Sequence, residues 1–299
     1  MLISVFFNIF ADMRIIIADS GSTKTDWCLV QVERQETRIV NQIQTEGINP
    51  VHMNKEVIIR NLAPLKKMIG EESDLSLCTF YGAGCTGDYA VRVQQILTTE
   101  LQLPLNNVQV HSDMLGAARA VCGHEAGIAC ILGTGSNSCF YDGIAIIDNI
   151  PPLGYILGDE GSGAALGKLF LNAVFKRELP DDLCRIFLEE TRQTYEEIIE
   201  KVYRNPLANR YLASSSTFIS KHLTESPELE RLVVDNFRAF FRKNIAKYQH
   251  LELPVGAIGS IAFHYNEQLR TAAAIEGLHM GKIMKSPMQG LLEYTQQLL

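Results

Sequence analysis

The chain has 299 residues, 46% of them apolar, and its 34 acidic side chains exceed the 27 lysines and arginines to give a net charge of −7. This length and apolar content favour two globular domains over one, each with a buried core. The negative charge, without a basic run of five residues, excludes nucleic acid as an expected partner. The seven cysteines include no C-x2-C pair, which favours reduced thiols and a cytoplasmic protein.

The first twelve residues are apolar but too few to span a membrane, and a strand begins directly after them. We therefore expect Met13 to be the natural start and residues 1–12 to be an extension outside the fold. No other stretch approaches the length of a transmembrane span, so no membrane partner is expected.

Two glycine-rich turns lie between strand-like runs. The turn Asp19–Thr25 separates Arg14–Ala18 from Trp27–Val32, and the turn Gly133–Ser138 follows the apolar run Ala126–Leu132. Aligned on their glycines, D-S-G-S-T and G-T-G-S-N share the core [ST]-G-S. This similarity predicts two copies of one supersecondary unit.

The composition of both turns suits phosphate, because glycine lets backbone N–H groups approach closely and serine and threonine add neutral donors. Lys24 and Thr25 do not form a Walker loop, which needs an earlier glycine and a following helix. Asp19 could hold Mg²⁺ through water, and Lys24 could neutralise phosphate charge. The alternative is that each segment is an ordinary hairpin turn.

Asp113 stands between a predicted strand, Val108–His111, and a predicted helix, Met114–Val121. It could cap that helix, a common role for aspartate. It could also accept the proton of an attacking hydroxyl during phosphoryl transfer. The two roles are compatible.

Two later motifs also join elements. Asp159 lies in L-G-D-E-G-S-G at 157–163, where a strand-like segment turns into a helix near Ser162; it could favour the helix N-terminus or accept sugar hydroxyls. Gly259 and Ser260 lie between the strand Val255–Ile258 and the helix Ile261–Ala274. Small residues there allow either close packing or a slot for adenine or ribose.

The rest of the C-terminal half reads as mainly helical. A helical region extends to about Leu223, with breaks predicted near Pro180, Pro206 and the run Ser214–Ser216. The apolar spacing then predicts a helix over Glu228–Gln249. A strand near Leu278–Met284 and a helix over Pro287–Leu299 complete a mixed α/β chain.

With these motifs in this order, the chain resembles the N-acetylglucosamine kinase and BadF/BadG/BcrA/BcrD ATPase-type family of the actin, hexokinase and Hsp70 superfamily. The resemblance covers most of 13–299 and rests on D-S-G-S-T-K-T-D at 19–26, G-T-G-S-N at 133–137, L-G-D-E-G-S-G at 157–163 and G-S-I-A at 259–262. It implies an α/β fold of two ribonuclease-H-like, actin-like ATPase lobes with ATP in the cleft between them. The N-terminal lobe would span 13–115. The C-terminal lobe would span 116–299 with helical insertions, its last helix packing back on the first lobe.

The resemblance implies an ATP-dependent amino-sugar kinase that requires Mg²⁺, with Asp113 as the general base toward the sugar 6-hydroxyl and Asp19 on the metal side. The implied ATP-binding residues are Gly21, Ser22, Thr23, Lys24, Thr134, Gly135, Gly259 and Ser260. The implied sugar-binding residues are Asn49, Asp113, Ser136, Asn137, Gly154, Tyr155 and Asp159. The loop P-P-L-G-Y at 151–155 departs from the family's Gly-Trp-Gly character, so the family's contact to the sugar N-acyl group does not carry over directly.

Several alternatives stay open. One is an activator ATPase that drives electrons into a dehydratase through an iron–sulfur cluster at a dimer interface, although Cys122, Cys130 and Cys139 lack a glycine-flanked ligand pattern. Another is a non-catalytic, sugar-responsive regulator, although residues 1–12 hold no helix-turn-helix. The acceptor could be N-acetylglucosamine, N-acetylmuramic acid, glucosamine or a related sugar, and the resemblance allows a homodimer.

Overall fold

The computed structural model describes residues 13–21, 23–33, 36–70 and 74–298. The expectations for residues 1–12 and for Ser22 lie outside the described residues. The chain forms two compact units. Unit 1 comprises the residues up to His124 together with Pro287–Leu299, and unit 2 comprises Glu125–Ser286.

The sheet of unit 1 has five strands in the order β3-β2-β1-β4-β5. Strands β1, β2 and β3 form an antiparallel meander, whereas β4 and β5 run parallel to β1. Its strands are β1 (Met13–Ser20), β2 (Lys24–Glu33), β3 (Glu36–Glu46), β4 (Leu75–Gly82) and β5 (Val108–Ser112).

The position of a strand in this sheet determines whether its sequence pattern predicts it. Strand β1 is central, so both faces of Ile15–Ala18 are buried and the run is continuously apolar. Strand β3 lies at the edge and is largely polar and exposed, and the sequence patterns did not predict it. An edge strand owes its structure to pairing with β2 rather than to apolar periodicity.

Four α-helices belong to the described part of unit 1. They are α1 (Lys55–Ile69), α2 (Gly87–Leu101), α3 (Asp113–Cys122) and α12 (Met288–Gln296). The C-terminal helix α12 packs against α3 and β1. The predicted lobe boundary between residues 115 and 116 falls inside α3, whereas the two units join in sequence at His124 and Glu125.

The sheet of unit 2 repeats the arrangement of unit 1. Its order is β8-β7-β6-β9-β10, again with three antiparallel strands followed by two parallel to the first. Its strands are β6 (Gly127–Leu132), β7 (Ser136–Tyr141), β8 (Ile146–Asp148), β9 (Val255–Ile258) and β10 (Met280–Met284). The two copies of one supersecondary unit expected from the glycine turns are therefore present.

Unit 2 carries the remaining helices. They are α4 (Gly154–Leu157), α5 (Gly163–Lys176), α6 (Asp181–Thr191), α7 (Tyr195–Tyr203), α8 (Ala208–His222), α9 (Pro227–Lys243), α10 (Ser260–His264) and α11 (Asn266–Ile275). None of the helices in the described ranges combines the length and apolar composition that crossing a membrane requires.

Four sequence expectations about unit 2 were wrong in detail. The segment before Asp159 is the single helical turn α4 rather than a strand, and the helix expected over Ile261–Ala274 is divided at Tyr265 into α10 and α11. Helix α9 ends at Lys243 rather than Gln249. The serine run does not break α8, which continues from Ala208 to His222. The helix packs closely on α5, where a Cβ at Gly167 would lie 1.9 Å from the Leu212 carbonyl oxygen.

Close backbone contact also fixes α12 against α3. A Cβ on Gly290 would lie 2.3 Å from the carbonyl oxygen of Ala120 and 2.7 Å from its Cα. We expect Gly290→Ala to lower the free energy of unfolding by about 1–3 kcal/mol, even though alanine favours an isolated helix by about 1 kcal/mol. Urea unfolding measures this difference. The control Gln289→Ala, on the exposed face of the same helix, should not destabilise by more than about 0.5 kcal/mol; equal effects would contradict the contact.

Candidate functional site

In unit 1, the carboxyl ends of β1, β4 and β5 meet at one edge of the sheet. The parallel register pairs Ser20 with Gly82, and Gly82 with Ser112. The residues that follow these strand ends therefore lie at the same edge. They are the first glycine turn, the loop 83–86 and Asp113, and this is where open parallel sheets bind ligands.

Buried hydroxyl groups hold the first glycine turn. The Ser20 and Thr25 hydroxyl oxygens are 2.7 Å apart, and Ser20 Oγ also accepts a 2.9 Å hydrogen bond from the backbone of Ile48. Both hydroxyls are fully buried and stabilise the hairpin. The predicted nucleotide contacts Gly21 and Thr23 are exposed on the same turn.

Asp19 carries the most perturbed carboxyl group of this edge. Burial is the largest cause that raises its pKa, to about 7, and the charges of Asp26 and Asp113 raise the pKa further. Lys24 lowers it only in part, since its ammonium group forms a 2.8 Å ion pair with Asp26. The edge therefore holds more negative charge than its own lysine neutralises.

This charge pattern fits a hard divalent cation. No group of three or more His, Cys, Asp and Glu residues is arranged to hold a metal ion within the described ranges. Mg²⁺ does not need one, because it keeps several waters and binds through one or two carboxylates together with substrate phosphates. A cation bound at this position would favour the charged form of Asp19, whose pKa burial raises.

Asp113 is the first residue of α3 and not its N-cap. Ser112 takes the capping position, with its Oγ accepting a 3.2 Å hydrogen bond from the backbone N–H of Leu115. The expectation that Asp113 caps the helix was therefore wrong. Its Oδ1 accepts a 2.9 Å bond from Met114 N, and burial raises its pKa.

Two further residues of this edge were not among the predicted site residues. Cys85 is buried in the loop after β4, and burial together with the charge of Asp113 raises the pKa of its thiol to about 12. His111 precedes Asp113 on β5, and burial and Arg119 lower its pKa to about 4. His111 is thus neutral at physiological pH. In the sequence, the only indication of these two residues is that H-S-D and G-A-G-C stand at the ends of strands.

Helix α3 is held closely against the sheet by aromatic and basic side chains. A Cβ on Gly116 would lie 2.9 Å from the Tyr81 side chain, so glycine is needed at this contact. Arg119 donates a 3.1 Å hydrogen bond to the Tyr81 hydroxyl, and its guanidinium carbon lies 5.0 Å from the ring centroid of Tyr294 in α12. These contacts fix the start of α3, where Asp113 lies.

In unit 2, the second glycine turn is built from backbone contacts. The first two N–H groups of α5 donate to the carbonyl oxygens of Gly133 and Thr134, at 2.8 and 3.1 Å. A Cβ on Gly259 would lie 2.2 Å from the Leu132 carbonyl oxygen, and its φ of +125° also requires glycine. The structure therefore brings the predicted residues Thr134, Gly135, Gly259 and Ser260 to one edge.

Asp159 lies directly beside this turn. Its Oδ1 accepts a 3.3 Å hydrogen bond from Ser136 N, and a Cβ on Gly135 would lie 3.1 Å from its Oδ2. Burial is the largest cause that raises its pKa, and the Ser136 bond opposes it. The residue has φ of +56°, a conformation supported by the 2.9 Å bond from its N–H to the Pro152 carbonyl.

The other predicted sugar contacts of unit 2 are engaged in local structure. Asn137 Oδ1 accepts hydrogen bonds from Ser138 N and Asn149 Nδ2, each of 2.9 Å. Tyr155 packs against the core, and its carbonyl accepts a 3.2 Å bond from Lys168. These contacts leave the side-chain Nδ2 group of Asn137 and the partly exposed ring of Tyr155 as the groups that could contact a ligand.

Known proteins supply the comparison for this geometry. No family model and no curated protein matches the sequence. Among solved structures, 95% of this chain aligns with 99% of a provisionally named N-acetylglucosamine kinase from Porphyromonas gingivalis, at 45% identity and a TM-score of 0.88. The chain belongs to the N-acetylglucosamine kinase family.

Two more distant structures share the fold of this family member. A second provisionally named N-acetylglucosamine kinase, from Chromobacterium violaceum, aligns over 94% of this chain and 98% of its own length, at 19% identity and a TM-score of 0.67. An ethanolamine utilization protein from Carboxydothermus hydrogenoformans aligns over 97% and 91%, at 15% identity and a TM-score of 0.52. The two repeated five-stranded sheets are those of the actin-like ATPase fold.

The charge at Asp19 predicts a pH-dependent cost to stability. A folded pKa of about 7, above the ordinary 3.8, means that the cost is absent below pH 3.8, grows between the two values and is complete above pH 7. In buffer free of divalent cations, we expect Asp19→Asn to raise the free energy of unfolding by about 1–2 kcal/mol at pH 8, and by much less at pH 4.5.

Urea unfolding across this pH range measures the effect. The matched control is Asp148→Asn, an exposed aspartate on β8, which should show no such pH-dependent gain. A pH-independent effect of Asp19→Asn would show that the charge at this position is not the cause.

Proposed function

We propose that this chain is an ATP-dependent kinase that phosphorylates an amino sugar of the N-acetylglucosamine class on its 6-hydroxyl group. The observation that carries the proposal is the pair Asp19 and Asp113, two carboxyl groups whose charges interact beside the exposed glycine turn of unit 1. Family membership at 45% identity supports the same conclusion. A single acid would serve one of two tasks, metal binding or proton acceptance, whereas kinase chemistry needs both.

In this proposal Asp113 is the catalytic base. The sugar 6-hydroxyl oxygen forms a bond to the γ-phosphorus of ATP, the bond from that phosphorus to the β,γ-bridging oxygen breaks, and ADP leaves. Asp113 takes the hydroxyl proton. Its raised pKa suits this task, because a base is most effective when its pKa lies nearer the working pH.

The glycine turns would bind the nucleotide. Backbone N–H groups and hydroxyls of Gly21, Ser22, Thr23, Thr134 and Gly135 are assigned to phosphate. Lys24 is assigned to neutralising the phosphate charge. Gly259 and Ser260 are assigned to binding the adenosine part of ATP. Asp19 would hold Mg²⁺, which when bound offsets the negative charge of the phosphates.

In this proposal, sugar-binding residues are assigned within each unit. Asp159 is assigned to sugar hydroxyls, because its carboxylate is buried and is held in place by a hydrogen bond from Ser136 N. The other assigned residues are Asn49, Ser136, Asn137, Gly154 and Tyr155. The proposed setting is the cytoplasm, with a small-molecule acceptor and neither nucleic acid nor membrane as partner.

A sugar panel tests the activity directly. Purified protein is incubated with Mg²⁺ and ATP, and ADP release is followed with N-acetylglucosamine, N-acetylmuramic acid, glucosamine, glucose and no sugar. We expect ADP release only with an amino sugar, and mass spectrometry should locate the new phosphate on the 6-hydroxyl. ATP hydrolysis that is independent of every sugar would contradict the proposal, and iron in that preparation would favour an activator ATPase.

Asp113→Asn tests the base. Because asparagine cannot take the hydroxyl proton, we expect kcat to fall by about 10²–10⁴-fold while ATP affinity, measured by calorimetry, changes little. The control Asp88→Asn changes an exposed aspartate in the first turn of α2 and should keep wild-type turnover. Wild-type kcat in Asp113→Asn would remove Asp113 from the mechanism.

A further inference from the structure

The turn that carries Asn49 is held together internally by Asn49 itself. Its carbonyl oxygen accepts hydrogen bonds from the N–H groups of His52 and Met53, each of 3.2 Å, and its Oδ1 accepts a 3.0 Å bond from Val51 N. Since the side-chain oxygen is used, the Nδ2 group is the part of Asn49 that can donate to a ligand oxygen. Its orientation depends on the conformation of the turn.

Arg92 of α2 holds the same turn from outside. Its Nη2 donates to the carbonyl oxygens of Pro50 and Met53, the latter at 2.8 Å. The guanidinium carbon lies 5.5 Å from the ring centroid of Tyr89, and no carboxylate forms an ion pair with it in the part of the chain that the structure describes. Among the described residues, the Arg92 guanidinium group therefore binds carbonyl oxygens rather than a carboxylate.

Two features show that this contact is specific. The Nε of Arg92 is buried and has no hydrogen-bond partner among the described residues, so the two carbonyl bonds have to offset the cost of burying this part of the guanidinium group. Gly84 leaves room for the turn, because a Cβ there would lie 2.6 Å from Asn49 Oδ1 and 2.9 Å from the Val51 side chain. The loop after β4 and helix α2 thus pack against the Asn49 turn and support it.

We infer that Arg92 is a positioning residue for substrate: by fixing the carbonyls of Pro50 and Met53, it orients Asn49 Nδ2 as a donor to an oxygen of the sugar. This inference rests on the proposed function. Arg92 acts through Asn49 and not on ATP, so its effect belongs to the sugar KM.

A double-mutant cycle tests this inference. We expect Arg92→Gln and Asn49→Ala each to raise the sugar KM by about tenfold, a typical effect of losing one oriented hydrogen bond. The double variant should be no worse than Asn49→Ala alone, because Arg92 has nothing left to orient. Arg92→Lys keeps the charge but loses the planar fork, and should raise the KM less than Arg92→Gln.

The controls separate positioning from general damage. The KM for ATP and kcat should stay within about twofold of wild type in Arg92→Gln, because the oriented hydrogen bond would bind the sugar equally in the ground state and the transition state. Arg185→Gln removes an exposed arginine that pairs with Glu189 on α6, and should change no kinetic constant. Additive effects of the two substitutions on the sugar KM, or equal rises in both KM values, would overturn the inference.

Hydrogen exchange distinguishes failure of this inference from failure of the proposed function. In Arg92→Gln we expect faster exchange of the amide protons of the Asn49 turn, Val51 and Met53 among them, with the rest of unit 1 unchanged. If the wild-type protein phosphorylates no sugar, the proposed function fails. Unchanged protection of these two amides would overturn the role of Arg92 whether or not a sugar is phosphorylated.

Discussion

The parallel pairing of β4 with both β1 and β5 is the constraint on which the site of unit 1 depends. It brings Ser20, Gly82 and Ser112 to the same level, so the segments that follow them meet at one edge. Because side chains alternate along a strand, a shift of one residue would move Asp19 to the opposite face of the sheet. The chemistry therefore depends on the register of these strands.

Unit 2 applies the same topology to a different set of groups. Its turn is supported by the N-terminus of α5 and by the close approach of Gly259 to Leu132, both of which need backbone rather than side chains. The only carboxylate held against that turn among the described residues of 157–163 is Asp159, whereas Glu160 pairs with Lys243 at 2.6 Å. The two units thus share one sheet topology but carry different acidic residues beside their glycine turns.

The sequence predicted the parts of this structure that local patterns determine. Apolar runs beside glycine turns predicted both hairpins, and the H-S-D and G-D-E-G-S motifs predicted Asp113 and Asp159 as candidate residues. The polar edge strand β3 was missed because its stability comes from pairing, and α1 was not predicted. Arg92 gave no signal, because its contacts join residues 39 and 42 positions apart in sequence. Such contacts exist only after α2 has packed.

Charge at the edge of unit 1 follows one pattern. Three basic side chains of the described residues here are each engaged: Lys24 by Asp26, Arg92 by two carbonyl oxygens, and Arg119 by the Tyr81 hydroxyl and the Tyr294 ring. These cationic side chains stabilise the structure around the site, whereas burial raises the pKa values of Asp19 and Asp113. Neutralising a buried carboxylate with an adjacent arginine would lower its pKa and weaken it as a base. Keeping the arginines on the supporting contacts therefore preserves the basicity that the proposed phosphoryl transfer requires of Asp113.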